Sequence, residues 1–382
     1  MKSKTISRKS GNLYIKIFGI PICKINFDND IIKSKFLGGL IFRKKNRLSL
    51  EENIRIFGFS VYKKHSTDNL KYKSLYRILS KNKLNIHKHV FIFNGSPSGE
   101  LYIVLNLINQ IIKSISDNEI LFVVDKNFKR NLCKLYFPNI KCYLNKKLNL
   151  FINKKSVFKY KGVTFYSIFT TSHYLKQDLK INKENIHYYD CIYKDLGVNR
   201  VSKFSLPNIS ETVQMKIKTY IEKNNLENFV IISPEANTSH TLNRDFWNEL
   251  CVRLKDRKYN VFLNIMKMEN YIDDCYVNFF KYEELIEFAK YSKGLIGLRS
   301  GLIEILSTLD IPIHCLYSPF PKRGELQAMS SKKALIGFSL KKLPSVNLNK
   351  IYEYDTMQYS DEKLLNSILA DFDKIDEKQF SN

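Results

Sequence analysis

Three stretches of this chain repeat one pattern: a short apolar strand, a small polar turn, an amphipathic helix and a second apolar strand. The fullest runs from Val230 to Ile265, with strand Val230–Ser233, polar loop Pro234–Asn243, helix Asp245–Arg257 and strand Asn260–Ile265. In it Phe246, Trp247, Leu250, Cys251 and Leu254 recur at helical spacing and make one buried face. Another begins at Lys293, where an apolar strand enters a tight Arg299-Ser300-Gly301 turn. A helix over Leu302–Leu309, a break led by Pro312 and a strand over Ile313–Tyr317 follow. The remaining one opens at His89, with strand Val90–Phe93, small-residue loop Asn94–Gly99, helix Glu100–Lys113 and strand Glu119–Val124. Apolar strands separated by helices cannot pair through hairpins. They need crossovers, which make the strands parallel and put helices on both sides of the sheet. The chain is therefore expected to be α/β, and 382 residues are ample for two cores.

In a parallel sheet the turns at the strands' carboxyl ends are where ligands bind. A glycine-bearing turn at a helix start presents free backbone N–H groups and the positive end of the helix dipole, so Arg299-Ser300-Gly301 has the makings of an anion site. Arg299 adds a guanidinium fork suited to phosphate. Glu100 opens its own helix, where the dipole favours a carboxylate anion. Pro234, Glu235, Asn237, Ser239, His240 and Thr241 form a polar loop, with Arg244 at the helix start beyond it. Thr171-Ser172-His173-Tyr174 follows a strand over Val163–Thr170, and Lys322 and Arg323 follow the strand ending at Tyr317. The ordinary alternatives stand beside these readings: a first-turn carboxylate without chemistry for Glu100, and structural or solvent-facing histidines at 173 and 240.

These segments resemble the donor-binding half of bacterial GT-B glycosyltransferases, nearest to the ADP-heptose:lipopolysaccharide heptosyltransferase family. Pro234, Arg244, Phe246 and Trp247 match that family's run of polar loop, basic residue and aromatic helix start. The family's Asp-Ser/Thr-Gly turn is Arg299-Ser300-Gly301 here, Glu304 stands where the family has His, and Gly99-Glu100 stands where it has Gly-Asp. The resemblance implies two doubly wound parallel-sheet domains facing a cleft: residues 85–207 on the acceptor side and 208–345 for a nucleotide-sugar donor. A β-rich extension (1–84) precedes them, and a C-terminal helix and tail (346–382) follow, the helix packing back over the first domain. It implies Glu100 as catalytic base, with Ser98, Gly99 and His173 on the acceptor side. Donor contacts fall on Pro234, Asn237, His240, Arg244, Arg299, Ser300, Gly301, Glu304 and Lys322, with Glu304 accepting from ribose hydroxyls. The expected reaction is inverting transfer to a lipid-linked, lipopolysaccharide or capsule oligosaccharide, with no cofactor. The Asp-x-Asp triplets at 28–30 and 371–373 lie far from the donor loops, so no metal is expected. A sugar-nucleotide epimerase and a non-catalytic scaffold at the membrane remain as alternatives.

The charge bears on partners. Lys and Arg number 62 against 37 Asp and Glu, a formal +25, which suits an anionic membrane surface and a phosphorylated substrate. No zinc-finger, RNP or basic-zipper pattern points to nucleic acid. Seven scattered cysteines without a CxxC pair fit a reducing compartment, and no apolar run reaches membrane-spanning length. A cytoplasmic protein, peripheral on the inner face of the membrane, is the expectation. In the extension, Tyr14–Lys24 recurs as Asn53–Lys63, each an alternating apolar and basic stretch with Phe-Gly at its centre and each expected to be a hairpin. Lys33–Arg47 between them is expected to be a linker or a segment lying on anionic lipid.

Overall fold

The structure is a computed structural model. Residues 1–3, 10–11, 18–19, 29–30, 37–40, 47–51, 57–58, 65–67, 95–97, 147–155, 170–179, 238, 267–271, 273–274, 322–327, 345 and 381–382 lie outside its described part. For 4–71, 156, 169 and 375–380 only the backbone is described. The chain divides into two units, and neither is contiguous. The first comprises Met1–Asn94, Asn118–Asp125 and Tyr143–Thr170; the second comprises Gly95–Asp117, Lys126–Cys142 and Thr171–Asn382.

The first unit begins with a seven-stranded antiparallel meander in chain order. Its strands are β1 (Lys4–Lys9), β2 (Asn12–Ile17), β3 (Ile20–Asp28), β4 (Ile31–Phe36), β5 (Ile41–Asn46), β6 (Glu52–Ile56) and β7 (Phe59–Lys64). The two repeats are hairpins: Ile17 pairs with Ile20 and Ile56 with Phe59, each across a Phe-Gly pair outside the described residues. The stretch expected as a linker or a segment lying on anionic lipid supplies β4 and β5, paired from Ile31↔Asn46 to Phe36↔Ile41, so it is not a linker. Its mixture of basic and apolar residues has period two, which is strand periodicity.

Helix α1 (Asp68–Lys81) then leads to a five-stranded sheet of β8 (His89–Phe93), β9 (Ile120–Val124), β10 (Lys141–Leu144), β11 (Ser156–Tyr160) and β12 (Val163–Phe169). Its order is β10-β9-β8-β12-β11, with β8 parallel to both β9 and β12 and β11 antiparallel at the edge. Tyr72, Leu75 and Leu79 of α1 bury against Val90, Ile92, Leu121, Val123 and Phe165. Tyr72 stacks on Phe158 at 5.1 Å between ring centres.

The second unit carries helices α2 (Ser98–Ile112), α3 (Asn127–Tyr136), α4 (Tyr188–Leu196) and α5 (Glu211–Lys223), then a six-stranded parallel sheet with its crossovers. These are β13 (Phe229–Ser233), α6 (Arg244–Asp256), β14 (Asn260–Asn264), β15 (Tyr276–Asn278), α7 (Tyr282–Ala289), β16 (Gly294–Leu298), α8 (Gly301–Leu306), β17 (Ile313–Tyr317), α9 (Ser331–Phe338), β18 (Ile351–Asp355) and α10 (Asp361–Phe380). The order is β15-β14-β13-β16-β17-β18, and every neighbour is parallel. The winding therefore reverses between β13 and β16, which defines the crevice where such sheets bind ligands.

Alternation along the strands feeds two cores. Val230, Ile232, Val261 and Leu263 join Phe246, Trp247 and Leu250 of α6 on one face. On the other, Phe229 stacks on Phe288 at 4.6 Å and Phe262 on Phe280 at 5.5 Å. The C-terminal helix, expected over the first domain, buries Leu364, Leu365, Ile368, Leu369 and Phe372 in the core shared with α6. Arg253 of α6 holds it with a bidentate pair to Glu362, at 3.0 and 2.7 Å. Phe372, 1% exposed, stacks on His314 of β17 at 4.4 Å. Replacing Phe372 by Ala should cost about 3–5 kcal/mol in urea denaturation, since it leaves a buried void. A loss below about 1 kcal/mol would show that α10 is not part of this core.

Candidate functional site

Two of the loops singled out in the sequence flank the reversal point of the second sheet. The strands that launch them, β13 and β16, are hydrogen-bonded neighbours, with Ser233 opposite Gly297. Gly297 permits that approach, because a Cβ there would come within 2.5 Å of the Ser233 carbonyl oxygen. Beyond the strands the loops are tied together. Ser239 Oγ donates to the Arg299 carbonyl at 3.4 Å, and the His240 N–H donates to the Pro319 carbonyl at 2.9 Å. Ser318 Oγ donates to the His240 carbonyl at 2.6 Å. The loops after β13, β16 and β17 thus form one backbone-anchored platform.

Against this platform stands the N-terminus of α2. Gly301 opens α8, with Ser300 as N-cap accepting from the Ile303 N–H at 3.5 Å. A Cβ on Gly301 would overlap Ser98 Oγ and the Gly99 nitrogen, and a Cβ on Gly99 would overlap the Glu304 carboxylate. The two glycines therefore let two helix starts touch. Gly301 was expected to open the turn to a ligand, but the space beside it is filled by α2. Further along α2, Tyr102 OH donates to Oγ1 of Thr308, just past the end of α8, at 3.3 Å.

Charges are buried at this junction. Glu304 is fully buried, Arg299 is 5% exposed and Glu100 3%. The Arg299 guanidinium pairs with the Glu304 carboxylate. It also lies over the Phe338 ring at 4.1 Å and the Tyr188 ring at 5.4 Å, contacts in which the ring faces attract the cation. The sequence reading had Arg299 reaching outward to a diphosphate and Glu304 to a ribose; here each is turned inward to the other. A buried carboxylate needs a partner, and this one has it in the turn that leads into its own helix.

Glu100 behaves differently from expectation. The helix dipole was expected to favour its anion, but burial dominates and raises its carboxyl above the ordinary range. Arg299, its own backbone N–H and Lys129 of α3 oppose the rise in that order. Lys129 is 1% exposed and belongs to this charge cluster, although its sequence context, Asn127-Phe128-Lys129-Arg130, gives no hint of it. At the end of α9, His187 Nε2 donates to the Ser339 carbonyl at 2.9 Å, and burial holds the imidazole neutral with its pKa lowered to about 3.

The other expected residues fall as follows. Pro234 and Arg244 line a pocket of about 220 Å³ with Thr241, Leu242, Trp247 and Ile272. Arg244, Asn237 and His240 are exposed, and Pro234 is buried. Ile272 escaped the sequence reading because it comes from the far side of β14, distant in the chain. Phe338 did too, since only the fold brings α9 under Arg299. His173 and Lys322 lie outside the described residues. Among the described residues no group of three or more His, Cys, Asp or Glu could hold a metal ion, and no helix is long and apolar enough to cross a membrane.

No family model matches the chain, and no curated protein matches it. Solved structures do. A glycosyl transferase family 9 protein from Veillonella parvula superposes with a TM-score of 0.50 at 11% identity, over 75% of this chain and 97% of that one. Escherichia coli ADP-heptose lipopolysaccharide heptosyltransferase II gives 0.48 at 13% identity, over 75% and 99%. The fold is thus the α/β GT-B type, as the sequence resemblance implied.

The buried pair makes a sharp stability prediction. Arg299→Ala leaves Glu304 buried without its cation and should cost about 3–5 kcal/mol. Arg299→Met combined with Glu304→Leu removes both charges and should recover stability to within about 1–2 kcal/mol of wild type. Chemical denaturation of the three proteins checks this, and a double variant no better than the single one would deny the pairing.

Proposed function

We propose that this chain is a GT-B glycosyltransferase that moves a sugar from a nucleotide-sugar donor to a hydroxyl of a lipid-linked, lipopolysaccharide or capsule oligosaccharide, with inversion and without a metal. The observation that carries the reading is the meeting of Glu100, at the start of α2, with the loop platform at the reversal point of the second sheet. The likeness in fold to a family 9 glycosyltransferase supports it.

In this reading Glu100 takes the proton of the acceptor hydroxyl as the new bond forms between that oxygen and the anomeric carbon. The bond from that carbon to the diphosphate oxygen breaks, and the diphosphate leaves with the electron pair. A hydroxyl is a weak nucleophile until its proton has a destination, and a base is most effective when its pKa lies near the working pH. Burial moves Glu100 in that direction from the carboxylate range. The pocket beside α6 receives part of the donor, and Arg244 at its rim meets the leaving diphosphate with a charge-assisted fork. Arg299 acts through the carboxylates, holding Glu304 beside the start of α2 and offsetting the charge of Glu100. Ser98 and Gly99 shape the acceptor side. The protein works at the inner face of the cytoplasmic membrane, where its acceptor is anchored.

Calorimetry against ADP-, GDP-, UDP- and CMP-sugars tests the donor half: one should bind, and Arg244→Ala should weaken it about tenfold. Failure of all four to bind would end the reading. Glu100→Gln tests the chemistry. Donor affinity should survive while turnover falls about 10²- to 10⁴-fold. The wild-type rate should fall with acid as Glu100 protonates, at a pH above the ordinary carboxylate range. Stability has the opposite sign. A raised carboxyl contributes stability below its unfolded pKa, and that contribution is lost as pH rises through the folded value. Glu100→Gln should therefore melt higher than wild type at neutral pH, with the difference vanishing in acid. Full turnover in a well-folded Glu100→Gln protein would remove Glu100 as base.

A further inference from the structure

The register of the N-terminal meander sorts its residues onto two unlike faces. One row, Ile6–Ile15–Cys23–Phe36–Ile41–Ile56–Phe59, runs pair by pair across all seven strands and is apolar throughout. Residues one position away occupy the other face, because the side-chain period of a strand is two. There, Ser7–Tyr14–Lys24–Lys35–Phe42–Arg55–Ser60 forms one complete row, and Lys9–Asn12–Asn26–Lys33–Lys44–Asn53–Lys63 forms the next. Seven of these fourteen positions are Lys or Arg, and none is Asp or Glu. Lys16 and Asp28 also fall on this face, and Lys4, Arg8, Arg43, Lys45, Lys64 and Glu52 on the opposite one. The faces thus hold eight and five cations with one acid each, and only the second has a row that is apolar from edge to edge.

We infer that this basic face is a docking surface for an anionic lipid bilayer. The basic positions are spread in both dimensions of the sheet, on strands about 4.8 Å apart and at alternate residues about 6.8 Å apart along them, over a width of roughly 30 Å. That lattice suits a plane of headgroups better than the single line of phosphates along a nucleic-acid strand. Tyr14 and Phe42 share the cationic face, and aromatic residues favour the headgroup level of a bilayer. Each Lys or Arg held there gains from the negative surface potential, so the array binds through many weak contacts. This inference gives a physical basis to the proposed membrane location. It does not depend on what the second unit catalyses.

The experiment is sedimentation of the full chain with vesicles of phosphatidylglycerol and phosphatidylethanolamine, against vesicles of phosphatidylcholine alone. The protein should pellet with the first and not the second, and release as salt is raised toward roughly 1 M, where charges are screened within about 3 Å. Lys24→Gln, Lys33→Gln, Lys35→Gln and Lys44→Gln together should weaken vesicle binding about tenfold or more. The matched set Lys4→Gln, Arg8→Gln, Arg43→Gln and Lys45→Gln removes equal charge from the apolar face and should bind nearly as wild type. Equal loss in both sets would overturn the inference, because net charge alone would then suffice. Binding to phosphatidylcholine would overturn it too, as would tight binding to a DNA duplex with none to vesicles. Should the fourfold variant unfold, Lys33→Gln and Lys44→Gln singly must each lower binding, and no effect from either overturns it. Donor affinity, measured on the same variants, should not change; its loss would bear on the transferase reading instead.

Discussion

The second unit depends on how closely two helix starts can approach. Gly99 and Gly301 let α2 and α8 meet where any side chain would collide with a carboxylate or a backbone nitrogen. That approach buries Glu304 and Glu100, and Arg299 is the cation that makes the burial tolerable. An apolar junction of the same volume would be as stable or more so. The charges are therefore better understood as fixing geometry than as adding strength, and their cost fits a site where a carboxyl must be held in one place. Phe338 and Tyr188 complete it by walling the guanidinium with rings, which excludes water from the pair.

Much of this was legible beforehand, for identifiable reasons. Strand, loop and helix at Val230–Ile265 announced themselves because both faces of a central parallel strand are buried and the helix shows one apolar stripe. The Phe-Gly repeats gave two hairpins through their period of two. Less visible were β15 and β18, edge strands too short or too polar to stand out, and α7 and α9, whose apolar residues follow no clean stripe in isolation. The partners of the site were harder still. Lys129 and Phe338 sit in unremarkable local sequence, and only long-range packing gives them a role.

The same reasoning explains why Arg299 and Glu304 were read outward. Sequence places a residue on a turn, but its direction depends on what fills the space opposite. A glycine in a strand-turn-helix has two uses, admitting a ligand or admitting another backbone, and the local pattern is the same for both. Here the neighbour is Gly99, some two hundred residues earlier, and it decides the matter.

The division of the chain has a consequence for its biosynthesis. Residues 95–117 and 126–142 belong to the unit that is otherwise built from 171 onward, and strand β9 of the other unit separates them along the sequence. A ribosome making about 5–20 residues per second releases α2 roughly 10–40 s before α8 exists to receive it. During that interval Glu100 lacks Arg299, and the start of α2 lacks the helix that will pack against it. A fragment cut near residue 207 would be held permanently in that state. For this protein the C-terminal half is less a separate domain than the delayed completion of the first.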